Sequence, residues 1–180
     1  MCLADDSGQS GSFFEEQHMS QLSWLKGKRG EWYLVVQAAL FVLLVFGPRS
    51  FPGQSAPNLP WPWFVLLAGT ILFLVGIVLS VCGTLSLGKN LSPLSYPKEQ
   101  GRLVVSGVYR IVRHPIYSGI IFMAFGWGMW LESWPVIGYA LLILIFFDIK
   151  SRREEFWLAE KYPEYAAYRK RVRKLIPFVW

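Results

Sequence analysis

The chain is poor in the residues that metal, thiol and nucleotide chemistry require. Histidine occurs twice in 180 residues, as His18 and His114, so the many-histidine sites of membrane desaturases and hydroxylases cannot be built. Cysteine also occurs twice, as Cys2 and Cys82, which provides neither a disulfide framework nor a zinc pattern. The only adjacent aspartates are Asp5 and Asp6 near the N-terminus, which rules out an aspartate-rich metal-diphosphate site. No Gly-x-Ser-x-Gly elbow and no Gly-x-Gly-x-x-Gly loop is present, and Gly126-Trp127-Gly128 is followed by Leu131 inside an apolar run. Neither a metal centre nor a soluble-type nucleotide fold is expected.

Charge is scarce too, at 17% of residues against 53% hydrophobic. That is too apolar for an ordinary soluble domain of this length and makes the bilayer the expected solvent. Residues 1–23 are rich in Ser, Gly, Gln and acids and read as a mobile tail. They lack the basic start and apolar core of a signal peptide. Lys26, Lys28 and Arg29 form a basic collar before the first apolar run, Trp32 to Gly47, which only Gln37 interrupts. Prolines 48, 52, 57, 60 and 62 mark a helix-free connection. Trp63 to Cys82 is the strongest span, and its leading tryptophans suit the headgroup boundary.

From Gly83 to Pro115 the chain turns polar and basic and reads as a structured loop. Ile116 to Leu131 and Ser133 to Phe147 then form an apolar hairpin, each arm near the lower length limit for a ~30 Å hydrocarbon core; re-entrant helices are the alternative. Asp148 to Lys161 is expected as a helix leaving the membrane. After Pro163, the spacing of Tyr165, Tyr168, Val172 and Leu175 predicts an amphipathic helix lying on the membrane surface. The fold class is thus all-α integral membrane, with about four transmembrane helices and a C-terminal amphipathic cytoplasmic helix. With four spans, every lysine and arginine except Arg49 falls on one side. By the positive-inside rule both termini and the basic loop are cytoplasmic. Because these charges flank apolar spans, they match a membrane surface and not nucleic acid.

The hairpin returns the chain to its starting side, so the loop ending at Tyr117 and the segment from Lys150 to Glu155 are expected as neighbours. Together they bring Tyr109, Arg113, His114, Tyr117, Glu154 and Glu155 to a pocket with lipid beside it. Taken singly, Arg110 and Arg113 read first as topology anchors, Glu154 and Glu155 read equally as a solvated face paired with Lys150 or Arg152, and His114 before a proline also reads as a helix start.

The ordered set Leu103-Val104-x-Ser106-Gly107-Val108-Tyr109, Arg113-His114-Pro115-x-Tyr117-x-Gly119, Glu154-Glu155-x-x-Leu158, Glu164-Tyr165-x-x-Tyr168 and Ile176-Pro177 resembles the isoprenylcysteine carboxyl methyltransferase family. The resemblance covers roughly residues 83 to 178. It implies a methyltransferase core over residues 83–180, following two transmembrane helices in 24–82, and an S-adenosylmethionine cofactor contacted by Leu103, Val104, Tyr109, His114, Pro115, Ile116, Tyr117 and Glu154. It also implies a lipophilic or prenylated acceptor, most simply an isoprenylcysteine carboxylate. Lys150 and Arg153 are then the candidate substrate contacts. Two departures bear on the acceptor. Lys150 stands where the family often has arginine, losing bidentate geometry, and Tyr162-Pro163 replaces the usual Phe-Gly. Phospholipid amine methylation, nicotinamide-dependent reduction of sterol-like double bonds and a non-catalytic scaffold are the competing readings.

Overall fold

The computed structural model describes residues 31–51, 53, 62–88 and 102–177. The N-terminal tail, the collar at Lys26, Lys28 and Arg29, prolines 52, 57 and 60, and the 89–101 part of the basic loop lie outside the described residues. The elements in order are α1 (Glu31–Phe46), α2 (Pro62–Leu87), a 3-10 turn (Gly107–Arg110), α3 (Pro115–Trp130), α4 (Trp134–Lys161) and α5 (Tyr165–Arg171). The described residues contain no strand; a single parallel bridge joins Val112 to Arg173.

Two helices are long and apolar enough to cross a bilayer, Trp63–Leu87 and Trp134–Lys161. At 1.5 Å per residue α2 is roughly 39 Å long, and it continues past the expected end at Cys82 to Leu87. α1 and α3 have 16 residues each, short of the ~20 that span a hydrocarbon core without thinning it. α4 is one continuous helix of 28 residues because Gly138 and Pro163 bracket a stretch without breakers. Its apolar part ends at Phe147, and from Asp148 onward it is polar.

α2 and α3 run antiparallel on a ladder of glycines. Gly69, Gly76 and Gly83 recur every two turns on α2, facing Gly126, Gly119 and Pro115 on α3. A Cβ at Gly76 would lie 2.6 Å from the Gly119 carbonyl oxygen, and one at Gly126 would lie 2.6 Å from that of Gly69. Small residues allow this backbone approach, which is how helices adhere where lipid removes the hydrophobic drive. Trp130 adds a ring stacked on Phe73 at 4.8 Å and an indole N–H donated to Thr70 at 3.0 Å.

The α3–α4 connection turns at Glu132, whose φ of 45° is in the left-handed region. Ser133 caps α4 by accepting from the Val136 amide, and its hydroxyl donates to the Arg49 carbonyl, which ties down the α1–α2 connection. α1 runs antiparallel to α4: the Tyr139 hydroxyl meets the Pro48 carbonyl near one end, and Lys150 meets Gln37 near the other. The buried core is Ile121, Ala124, Ala140, Ile143, Phe147 and Leu175, backed by Leu40, Phe41 and Leu44 of α1. The outer faces of α1, α2 and α4 leave large apolar side chains exposed, among them Val42, Leu74, Val78 and Ile145, which marks a lipid-facing surface.

The C-terminus departs from the expected surface helix. α5 stops at Arg171 after seven residues, and Val172 is extended. The cause is Arg113, whose Nη1 donates to the carbonyls of Arg169 and Val172 at 2.9 and 2.6 Å and so satisfies the end of α5. The chain then pairs with the loop before α3: the amides of Arg113 and His114 donate to the carbonyls of Arg173 and Lys174 at 2.8 and 3.1 Å. Ser118 donates to the Leu175 carbonyl, and the Lys174 ammonium bridges Asp148 at 2.7 Å. Tyr165 and Leu175 are therefore buried against the rest of the chain.

Candidate functional site

The site is built where the chain enters α3 and leaves the apolar part of α4. Leu103 and Val104, both half-buried, lie in the extended segment before the 3-10 turn. Gly107 opens that turn with φ 60°, and a Cβ there would also press on Ser86 Oγ at 3.0 Å. The turn buries Tyr109, whose carbonyl accepts from the Tyr168 hydroxyl at 2.6 Å. Val112 and Arg113 then join the C-terminal segment, and His114 sits at the N-cap of α3 with Pro115 in its first turn. Proline is suited there because its missing N–H has no helical partner to lose.

Aromatic stacking sets the side-chain order. The His114 ring lies parallel to Tyr117, with centroids 5.4 Å apart at 7°, and Tyr117 stacks on Phe147 at 4.5 Å. Tyr117 donates its hydroxyl to Glu154 Oε2 at 2.9 Å. His114 Nε2 meets Glu155 Oε1 at 3.2 Å, whereas Nδ1 is 3.8 Å from Glu154 Oε2, beyond hydrogen-bond range.

The adjacent carboxylates have different fates. Glu155 Oε1 takes Arg113 through both Nε and Nη2 at 2.9 Å as well as His114, and Oε2 is 3.6 Å from Arg169. Burial pushes its carboxyl up, but His114 and Arg113 outweigh burial and hold it at about 2. Glu155 is a fully engaged structural tie between α4, the pre-α3 loop and α5. Glu154 keeps 26% side-chain exposure and accepts from Tyr117, so it retains lone pairs for a ligand. Burial and then Glu154 raise the Tyr109 hydroxyl above its ordinary value, and burial raises Tyr168 to about 12 although Arg113 opposes it. Both tyrosines stay protonated.

Of the expected contacts, Tyr109, His114, Pro115, Ile116, Tyr117 and Glu154 lie on this loop, helix start and facing helix. Lys150 is buried one turn before Glu154; its ammonium donates to Gln37 Oε1 at 2.8 Å and lies 5.3 Å from the Tyr117 ring centroid. Arg153 is not part of the cluster: it is exposed and lies over Trp157 at 5.2 Å. Arg152 pairs with Asp148, so neither arginine answers the acidic pair. Gln37 was not expected at the site, yet it is the one polar side chain interrupting the first apolar run. A cleft of about 470 Å³ beside Glu155 is lined by Arg113, Asp148, Arg152, Glu155, Arg169 and Lys174. These cations are already paired with Asp148 and Glu155.

Apolar-faced helices joined by a glycine ladder, with a histidine, tyrosine and carboxylate gathered at one end, define a membrane-embedded helical fold with a polar site at its edge. Residues 64–165 match the family described as Phospholipid methyltransferase, and the chain belongs to it. The chain is 29% identical over 127 residues to a probable protein-S-isoprenylcysteine O-methyltransferase of Oryza sativa, a match covering 68% of this chain and 66% of the relative. It is also 30% identical over 149 residues to the cobalt-zinc-cadmium resistance protein CzcN of Cupriavidus metallidurans, covering 82% of this chain and 62% of that protein. The fold resembles the eukaryotic intramembrane Ras methyltransferase ICMT, isoprenylcysteine carboxyl methyltransferase, with TM-score 0.57, 24% identity and coverage of 84% of this chain and 54% of that one. The chain thus spans two thirds or less of the length of these proteins.

Proposed function

We propose that the protein transfers a methyl group from S-adenosylmethionine to a lipophilic acceptor resident in the membrane, and that the acceptor is the carboxylate of an isoprenylcysteine-like group. The observation that carries this reading is the division of labour between Glu155, spent on structure, and Glu154, left available beside His114 and Tyr117. When bound, the cofactor supplies an activated methyl group on a sulfonium. The residues present fit it. Glu154 offers acceptor oxygens to an ammonium or ribose hydroxyls, His114 Nδ1 stands without a hydrogen-bond partner among the described residues, and Leu103, Val104, Ile116 and Tyr109 offer apolar and aromatic faces to an adenine. The chain's contribution is to hold the two reactants in line and keep water out. A carboxylate nucleophile needs no general base, and no catalytic acid or base is assigned. The relatives named as isoprenylcysteine methyltransferases support the same acceptor.

In this reading the protein is multi-pass, with both termini and the site on the cytoplasmic face, because the basic residues gather there. A phospholipid amine is the second reading, favoured by the description of the matched family. The buried Lys150 ammonium speaks for a carboxylate, since an amine acceptor would meet like charge. Incubating membranes that carry the protein with a radiolabelled methyl donor tests the choice. Label in a base-labile ester supports carboxyl methylation, and label in phospholipid headgroups supports the amine. Absence of S-adenosylmethionine binding by calorimetry in detergent overturns both.

A further inference from the structure

Lys150 is a cation with an incomplete set of partners. It is 2% exposed, donates one hydrogen bond to the neutral Gln37 amide at 2.8 Å, and lies over the Tyr117 and Phe147 rings at 5.3 and 5.9 Å. Among the described residues no carboxylate lies within ion-pair distance of it. Asp148 is taken by Lys174 and Arg152, and Glu155 by Arg113 and His114; Glu154, one turn on, favours the ammonium electrostatically from beyond ion-pair distance while accepting from Tyr117. An ammonium has three donors, and burying one without a directly paired counter-ion is costly. An incoming anion completes this arrangement.

Gln37 decides where that charge stands. It projects from the facing, antiparallel α1, and its amide oxygen pins the end of a flexible four-carbon stem against Tyr117, whose hydroxyl is on Glu154 and whose ring is on His114. α1 lies outside residues 64–165, which carry the family match. This hydrogen bond brings a helix from beyond the matched segment to the site.

We propose that Gln37 is a positioning residue for the methyl acceptor: it holds the Lys150 ammonium, with two donors unspent, as the seat of the acceptor's anionic group. The proposal rests on the acceptor being a lipophilic carboxylate, as argued above. A neutral partner is essential to it. Glutamate at this position would compensate the charge internally, and leucine would release the ammonium without compensating it.

The test uses the full chain in detergent, with Gln37→Leu and Gln37→Glu, two changes that keep side-chain size. The probes are N-acetyl-S-farnesylcysteine and its methyl ester, with binding followed by tryptophan fluorescence and turnover by methyl transfer to the free acid. The wild type is expected to bind the acid more tightly than the ester. Both variants are expected to raise the KM for the acid by about tenfold or more, on the scale of one charged hydrogen bond, with the KM for S-adenosylmethionine unchanged and the acid-over-ester preference reduced. Gln37→Glu should show the larger loss. If the wild type binds the acid with that preference and the variants lose it, yet no methyl transfer occurs, the proposed reaction fails and the role of Gln37 stands. Equal binding of acid and ester by the wild type overturns the role of Gln37, as does a variant that retains the preference or raises both KM values together.

Discussion

Glu154 and Glu155 are neighbours in sequence, but the helix points them about 100° apart, so they meet different surroundings. Glu155 carries the pairing with Arg113 and His114, and removing one member of a buried charge cluster strands the others. We expect Glu155→Gln to cost about 3 kcal/mol, seen as a lowered melting temperature in detergent. Glu154→Gln should change stability by less than about 1 kcal/mol and weaken S-adenosylmethionine binding roughly tenfold or more by calorimetry. A larger stability loss at 154 than at 155 would reverse the two roles. The pH dependence follows from the same cluster. The Glu155 carboxyl sits at about 2 in the folded protein against an ordinary 4.5. Its stabilisation is therefore fully present above its unfolded value and lost as pH falls from about 4.5 toward about 2. The acid limb of the melting-temperature profile should flatten in Glu155→Gln.

Among the helices, the α2–α3 contact depends on hydrogen atoms where other residues carry Cβ. Gly119 faces the Gly76 carbonyl and Ser80, so Gly119→Leu should cost at least about 1–3 kcal/mol through overpacking. Gly138, whose added Cβ would meet nothing within 4 Å, should accept alanine with unchanged or slightly raised stability, because alanine is the better helix former. Thermal unfolding of the two variants side by side checks both expectations. The seven-residue spacing of Gly69, Gly76 and Gly83 carries no signal on one helix taken alone. It acquires meaning when two such series are seen to face each other. α5 shows the opposite case: the spacing of Tyr165, Tyr168, Val172 and Leu175 predicted a longer helix, but Arg113, far away in sequence, takes the carbonyls on which the helix ends.

For the chain as a whole, the charge asymmetry leads to a directional prediction. In a protein carrying Cys2→Ser and Cys82→Ser, a cysteine placed at Lys170 should react with an impermeant thiol reagent from the cytoplasmic side of sealed vesicles. One placed at Ser50 should react from the opposite side. Labelling of both from one side would remove the proposed topology, and with it the proposed route by which a cytosolic cofactor would meet a membrane acceptor.

Hydropathy, proline placement and the ordered motifs from Leu103 to Pro177 were enough to locate the four longer helices within about five residues and to expect His114, Tyr117 and Glu154 as neighbours, which the packed helices bring together. They suffice because lipid supplies no hydrogen-bond partners, so each span must declare itself locally in its own composition. Three matters rested on pairings between distant residues, and no local pattern encodes these. One is which carboxylate of the adjacent pair is spent, decided by Arg113 across 42 positions. Another is where α5 ends, decided by the same guanidinium. The third is what holds Lys150, decided by Gln37 across 113 positions. A charge in a low-dielectric setting takes its role from whichever groups the fold brings within about 3–4 Å, and that set exists once the helices have packed.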